Sequence, residues 1–268
     1  ADDIHDVRSG KKPLVGFITD ADGDRLVLLV YDPMWDVILP LGGDETAFIQ
    51  GTYLLQQSPW KEVFKGAVFA NTVESDFFAA DAAGQLGFAN KYTGVGDKWL
   101  LLQATMAWMR AIVQEQENGG VPGDRLHPLT QRIDSLNSEN MRAFEAVRVM
   151  KDLEKLAEEL GISLETVEQS LSTPGVIKYA VASDESRHII TTLYLMTQSG
   201  HRVPFYAGNA LKSGVNTLIG LRRLFPSLDS TIAANERKVN FFEFVRKPFP
   251  KGYKITLYAF YVDKTRFI

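Results

Sequence analysis

The chain has 268 residues, enough for one large or two ordinary domains with a sizeable core. Hydrophobic residues make up 45% and charged residues 23%, the balance of a globular protein and not of a disordered or fibrous one. Zero cysteines exclude disulfide frameworks and thiolate metal sites, and a net charge of −4 gives no general attraction to nucleic acid or anionic lipid.

No apolar run approaches the ~20 residues of a bilayer crossing, and the polar, acidic start is unlike a signal peptide. A cytoplasmic protein is therefore expected, with neither membrane nor nucleic acid as partner. The sequence opens without methionine and enters a strand-like run by Pro13, as a piece of a longer chain would. Residues 236–268 carry eight Lys/Arg against three Asp/Glu, a local basic excess best explained by solvated strand edges.

In chain order, KPLVGFITD and RLVLLVYD predict two short strands around an acidic turn. GGDETAFIQGTYLLQQ places Phe48, Ile49, Tyr53 and Leu55 at helical spacing, with Asp44 or Thr46 available as a cap. GAVFANTV predicts a strand, and DFFAADAAGQLG a helix ending at Gly87. FANKYTGVGDKW gives a short strand and a Gly-rich turn, before a helix, LLLQATMAWMRAIVQEQENGG, stopped by two glycines. SENMRAFEAVRVMKDLEKLAEELG is an amphipathic helix with Met141, Phe144, Met150, Leu153, Leu156 and Leu160 near one face. ISLETVEQSL follows as a second helix, then strands in GVIKYAVAS and HIITTLYLM, a helix in SGVNTLIGLRRLF and a C-terminal hairpin around residues 248–252. The alternation predicts a layered α/β/α fold with a mixed, largely parallel sheet, a helical insertion and a C-terminal β-hairpin. Expected divisions are 1–58, 59–225 with the insertion at about 120–172, and 226–268.

The chemistry concentrates in FITDADGDRLVLL. Asp20, Asp22 and Asp24 alternate through a loop that Gly23 allows to curl, so their carboxylates can converge. Convergence without a cation costs about 1 kcal/mol per close pair even at water-like screening. Two readings stand at this point, an acidic hairpin turn or a divalent-cation site. An EF-hand is excluded, because Arg25 and Tyr31 occupy the positions that need Gly and a carboxylate.

This loop resembles the metal loop D-x-D-x-D-R of the α-D-phosphohexomutase family, the phosphoglucomutases and phosphomannomutases. Asp20, Asp22, Asp24 and Arg25 match it position for position. The resemblance continues through LGGDETAFIQGTYLL, FANTVESDFFAADAAGQLG and YTGVGDKW, which is similar to the family's T-x-V-G-F-K-W turn with Asp97 in place of the aromatic residue. SDESRH, residues 183–188, resembles the sugar loop G-E-E-S-G-H, with Asp184 for the first glutamate and Arg187 for glycine. SGVNTLIGLRRLF resembles the D-G-I helix, with Ser213 for aspartate. The T-x-S-H-N-P phosphoserine loop and the R-x-S-G-T-E-P phosphate loop do not occur; TQSGHRVP is only superficially like the former.

The resemblance thus covers the end of the family's second domain and its third. It implies Mg²⁺-dependent phosphoryl transfer on a hexose phosphate, incomplete without the phosphoserine loop. Asp20, Asp22 and Asp24 would be metal ligands, Arg25 would contact the phosphoryl group, and Lys98 would lie near the reacting hydroxyl or phosphate. Asp184, Ser186 and His188 would bind sugar hydroxyls. His5, His127 and His201 lie apart without ligand spacing. Asp97, Arg187 and Ser213 favour an alternative, a catalytically degenerate sugar-phosphate-binding or regulatory module. A third reading, a helix-turn-helix nucleic-acid binder in LAEELGISLETVEQSL, is opposed by eight acidic against four basic residues over 139–173. No oligomeric state is read from the sequence.

Overall fold

The computed structural model describes residues 2–8, 15–32, 35–56, 61–76, 78–135, 178–196 and 202–225, with isolated positions at 151, 155, 158, 159, 161, 198, 244 and 245. Apart from those isolated positions, the amphipathic helix expected at 138–161, the helix at 162–171, the helix-turn-helix reading and the C-terminal hairpin lie outside the described residues.

The acidic turn joins β1 (Val15–Thr19) to β2 (Leu26–Asp32) as an antiparallel hairpin. A third strand that the sequence reading does not anticipate, β3 (Val37–Leu41), extends it to a meander. β3 contains Pro40, which breaks the apolar pattern. Among the described residues it pairs only with β2, and as an edge strand it tolerates a residue with no N–H.

The second sheet is built from β4 (Val68–Thr72), β5 (Ala89–Thr93), β6 (Tyr179–Ser183), β7 (Ile189–Met196) and β8 (Arg202–Gly208), in the order β5-β4-β6-β7-β8. The mixed α/β architecture expected from the sequence is present. Its parallel pairings are confined to β5-β4-β6, while β7 and β8 return antiparallel. β8, also unanticipated, carries Pro204 at an end of the strand order of the five-stranded sheet. β4 lies between two parallel neighbours and is buried along its whole length, as an apolar central strand should be.

The helices are α1 (Asp2–Arg8), α2 (Gly43–Gln56), α3 (Lys61–Phe64), α4 (Ala79–Leu86), α5 (Asp97–Asn118), α6 (Gly123–Asp134) and α7 (Ala210–Leu224). α4 ends at Gly87 and α5 at Gly119, as the sequence predicts. α7 starts on a true side-chain cap, the Lys212 N–H donating to Asn209 Oδ1 at 2.8 Å, and finishes with Arg222 and Arg223 against its negative end. Among the described residues no helix is long and apolar enough to cross a membrane.

Alternation along β4 divides the core. Val68 and Ala70 pack with Leu100, Ala104 and Ala107 of α5 on one face. Ala67 and Phe69 pack with Ala47 and Leu55 of α2 and Ala83 of α4 on the other. The meander packs Leu28, Val30, Leu39 and Leu41 onto Ile49 of α2 and Leu221 of α7. α2 therefore serves both sheets, and eleven of its fourteen residues are buried. A helix covered on every side needs no polar stripe. α2 stands centrally, with its N-terminus at the edge where β4, β5 and β6 end. In open α/β sheets that carboxyl edge is where ligands bind.

Candidate metal and ligand site

The loop between β1 and β2 gets its shape from Gly23 and from two backbone ties. Gly23 has φ 77°, left-handed backbone that other residues adopt only with strain. The Arg25 N–H donates to Asp20 Oδ1 at 3.2 Å, and the Gly23 carbonyl accepts the Ala210 N–H at 2.8 Å, tying the loop to the start of α7. Curled in this way, Asp20, Asp22 and Asp24 each place a carboxylate oxygen within 4.8 Å of the others. Oxygens bound to one hard cation at ~2.1–2.5 Å stand no more than ~4–5 Å apart. The set can hold a metal ion.

Its electrostatics are unbalanced. Burial pushes the Asp24 carboxyl above its ordinary value, His188 pulls against this, and the charges of Asp22 and Asp20 push it further up. Burial also raises Asp20, but the bond from Arg25 N–H and those shared with Asp22 and Asp24 outweigh it and hold that carboxyl low. Neighbouring carboxylates driven apart in this manner share protons when no cation separates them. Asp24 Oδ1 is buried and accepts no hydrogen bond from the protein. The Arg25 Nε lies 3.4 Å from Asp20 and 3.8 Å from Asp24, on a side chain about half exposed to solvent.

The second segment the sequence singled out lies against the first. Arg25 and His188 form an isolated antiparallel bridge, and the Leu26 N–H donates to the Arg187 carbonyl at 3.2 Å. His188 Nε2 stands 3.4 Å from Asp24 Oδ2 and 3.3 Å from Arg25 Nε. It can accept from the guanidinium when neutral or donate to the carboxylate when protonated. On the other side of the ring, Nδ1 is 2.7 Å from Asp184 Oδ2 and 2.9 Å from Ser186 Oγ.

Asp184 faces inward. Its Oδ1 accepts the His188 N–H at 2.9 Å, and its Oδ2 meets both the Ser186 hydroxyl and the imidazole. A buried carboxylate that saturates both oxygens on its own loop fixes the orientation of His188, as carboxylates do behind functional histidines. Ser186 is exposed. Arg187, at the position where the resemblance expects glycine, has φ 80°. The backbone here keeps the conformation glycine favours, with an arginine in it.

α2 sets where this loop sits. A Cβ on Gly43 would lie 2.3 Å from the Asp184 carbonyl oxygen and 3.3 Å from the Arg187 Cα, so only glycine admits the loop. Next to it, Asp44 is a tie between elements more than the helix cap its position suggests. Its carboxylate accepts from the Asp76 N–H at 2.7 Å and the Ser183 hydroxyl at 3.0 Å. The reach back to the helix start comes from Glu45, which accepts the Gly42 N–H at 3.0 Å. The other candidate cap, the Thr46 hydroxyl, is buried without a partner. Gly43 and Asp44 are the residues whose importance a local reading misses, because the 183–187 segment they meet is more than a hundred residues away.

Lys98 lies in the first turn of α5, exposed, with Nζ 5.4 Å from the Trp99 ring centroid. It shares the carboxyl edge with the 184–188 loop but stands two strands over, roughly 10 Å at ordinary strand spacing. Among the described residues no ion pair joins it to the aspartates. Ser213, the other departure from the resemblance, is buried and accepts from Gln50 Nε2 at 2.9 Å; Thr217 accepts from the same amide, also at 2.9 Å. Compared with known proteins, the chain matches no family model and no curated sequence.

Proposed function

We propose that this chain carries the metal-binding and sugar-binding half of a phosphohexomutase-type site, acting with Mg²⁺ on a hexose phosphate. One observation carries the reading. Two segments separated by about 160 residues, each picked out for the same chemistry, lie bonded together through Arg25, Asp24 and His188.

In this reading Asp20, Asp22 and Asp24 hold the metal, whose hard oxygen ligands and modest cluster size suit Mg²⁺. The bound cation supplies charge neutralisation for phosphoryl transfer. Neutralising the aspartates frees Arg25 to turn its donors to phosphoryl oxygens. His188 Nε2 and the Ser186 hydroxyl face the sugar, with Asp184 as the positioning residue that sets the imidazole tautomer. Lys98 approaches from the far side of the same edge. The phosphoserine donor has no counterpart in these residues, so catalysis requires it from outside them.

A second reading, sugar-phosphate binding without turnover, is favoured by Arg187 in the glycine position and by Ser213, which is committed to Gln50. Both readings require the metal loop.

Calorimetry with Mg²⁺, with and without glucose 1-phosphate, tests that requirement. Saturable binding is expected, weakened at least about tenfold in Asp22→Ala, whose metal-free fold stays intact because the replaced side chain is exposed. Wild-type protein that ignores Mg²⁺ even with the sugar phosphate present would sink the proposal.

A further inference from the structure

A cavity of about 350 Å³ lies between α2, α7 and the β6–β7 face of the five-stranded sheet. Its size falls in the range of small-molecule sites. None of the three aspartates lines it, nor do Arg25, Lys98, Asp184, Ser186 or His188.

Its lining divides by chemistry. Leu54, Phe64, Ile190 and Ile219 give it an apolar side, and Tyr53 and Tyr194 are also among its lining residues. The polar side is Thr191, Asn216 and Lys212, and no carboxylate is among the lining residues. Lys212 Nζ donates to the Thr192 carbonyl and lies 5.8 Å from the Tyr194 ring centroid. One carbonyl and a ring face are modest company for an ammonium group with three donors. Burial holds its pKa below the ordinary lysine value, the sign of a cation short of compensation. Thr191, also in the lining, is only 4% exposed, and its buried hydroxyl has no hydrogen-bond partner in the protein. Buried hydroxyls are normally bonded, so an unpartnered one on a residue of the cavity lining leaves a donor for a ligand or a water. The Gln50 amide, also in the wall, is already spent on Ser213 and Thr217.

We infer that this cavity is a second binding site, for a small organic anion with a flat apolar body. The anionic head pairs with Lys212 and takes the Thr191 hydroxyl as a donor. The body lies between Tyr53 and Tyr194 against Leu54, Phe64 and Ile219. The site is independent of the aspartate loop.

Titration of the ¹⁵N-labelled full chain with 2-naphthoate tests this, with uncharged 2-naphthamide as its counterpart. The expected result is saturable binding with amide shifts concentrated at Thr191, Thr192, Lys212 and Asn216. Naphthamide should bind the wild type at least about tenfold more weakly, the loss expected for a missing charged hydrogen bond. Lys212→Met should lower naphthoate affinity by a similar factor and Thr191→Val by less, while Asp22→Ala leaves it unchanged. The proposal fails if millimolar naphthoate leaves those amides unmoved, or if naphthamide binds the wild type as well as naphthoate does. That second comparison needs no variant and so survives any folding defect in Lys212→Met.

Discussion

The two loops that meet at the candidate site are opposites in their bonding. The 184–188 loop is self-sufficient: both Asp184 oxygens are taken, His188 is held from both sides of its ring, and α2 supports the turn from below. The aspartate loop is shaped by backbone ties yet leaves three carboxylates crowded, with one Asp24 oxygen buried and accepting no hydrogen bond. The first loop is already in the state it needs. The second holds electrostatic strain that a cation would relieve. A protein can keep such strain only where the surrounding structure over-determines the backbone, and here the Gly23–Ala210 and Arg25–Asp20 bonds do so.

Four measurements would break or sharpen this contrast. The largest effect is expected from Gly43→Ala, whose added carbon would meet the Asp184 carbonyl. Overpacking of this severity should cost about 3 kcal/mol, read from the urea midpoint, and should separate His188 from Asp24. A stability close to wild type would mean that the 184–188 loop is not locked to α2. Next comes Asp184→Ala, which strands the donors now held by that carboxylate; a loss of about 2 kcal/mol is expected. The imidazole resonances should broaden as the ring gains freedom, and unchanged His188 shifts would remove the positioning role.

Arg187→Gly should act in the opposite direction and raise stability by about 1 kcal/mol, because it relieves a left-handed φ on a non-glycine residue. Thermal melting is sufficient to see this, and a lower melting temperature would show that the arginine side chain matters more than its backbone. The smallest effect is on pH dependence. Asp24 is raised in the folded state, so its contribution to metal-free stability is present at low pH and is lost as pH rises through its folded value. Asp20, held low, contributes in the other sense, and its share is lost only when pH falls through its depressed value. The thermal shift produced by Mg²⁺ should accordingly grow with pH just above the ordinary carboxylate range. A shift that does not vary with pH there would show that Asp24 is not a ligand.

What could be read from the sequence follows the range of the interactions involved. β1, β2, α4 and α5 obey local period and punctuation, and they lie where the residues predict. β3 and β8 were hidden because Pro40 and Pro204 interrupt their patterns, and only their edge positions make those prolines acceptable. The strand order was hidden for another reason. β6 pairs with β4 across more than a hundred intervening residues, and no local feature of either strand names its partner. The site divides in the same way. The aspartate triad lies within one short loop and can be read from it, whereas the 184–188 group is singled out only by its resemblance to the sugar loop. That Asp184 faces inward, and that Gly43 and Asp44 hold its loop in place, are facts about contact between distant segments.

Helix α2 has one more consequence. It is a party wall: the meander leans on one side of it and the five-stranded sheet on the other, and almost none of it faces water. Neither sheet can open without uncovering the other's apolar face. Amides of α2 should accordingly be among the last to exchange with deuterium, and they should do so at one common rate set by global unfolding. The 184–188 loop is thus held in place by the first two residues of a helix whose remainder is mostly buried in the core.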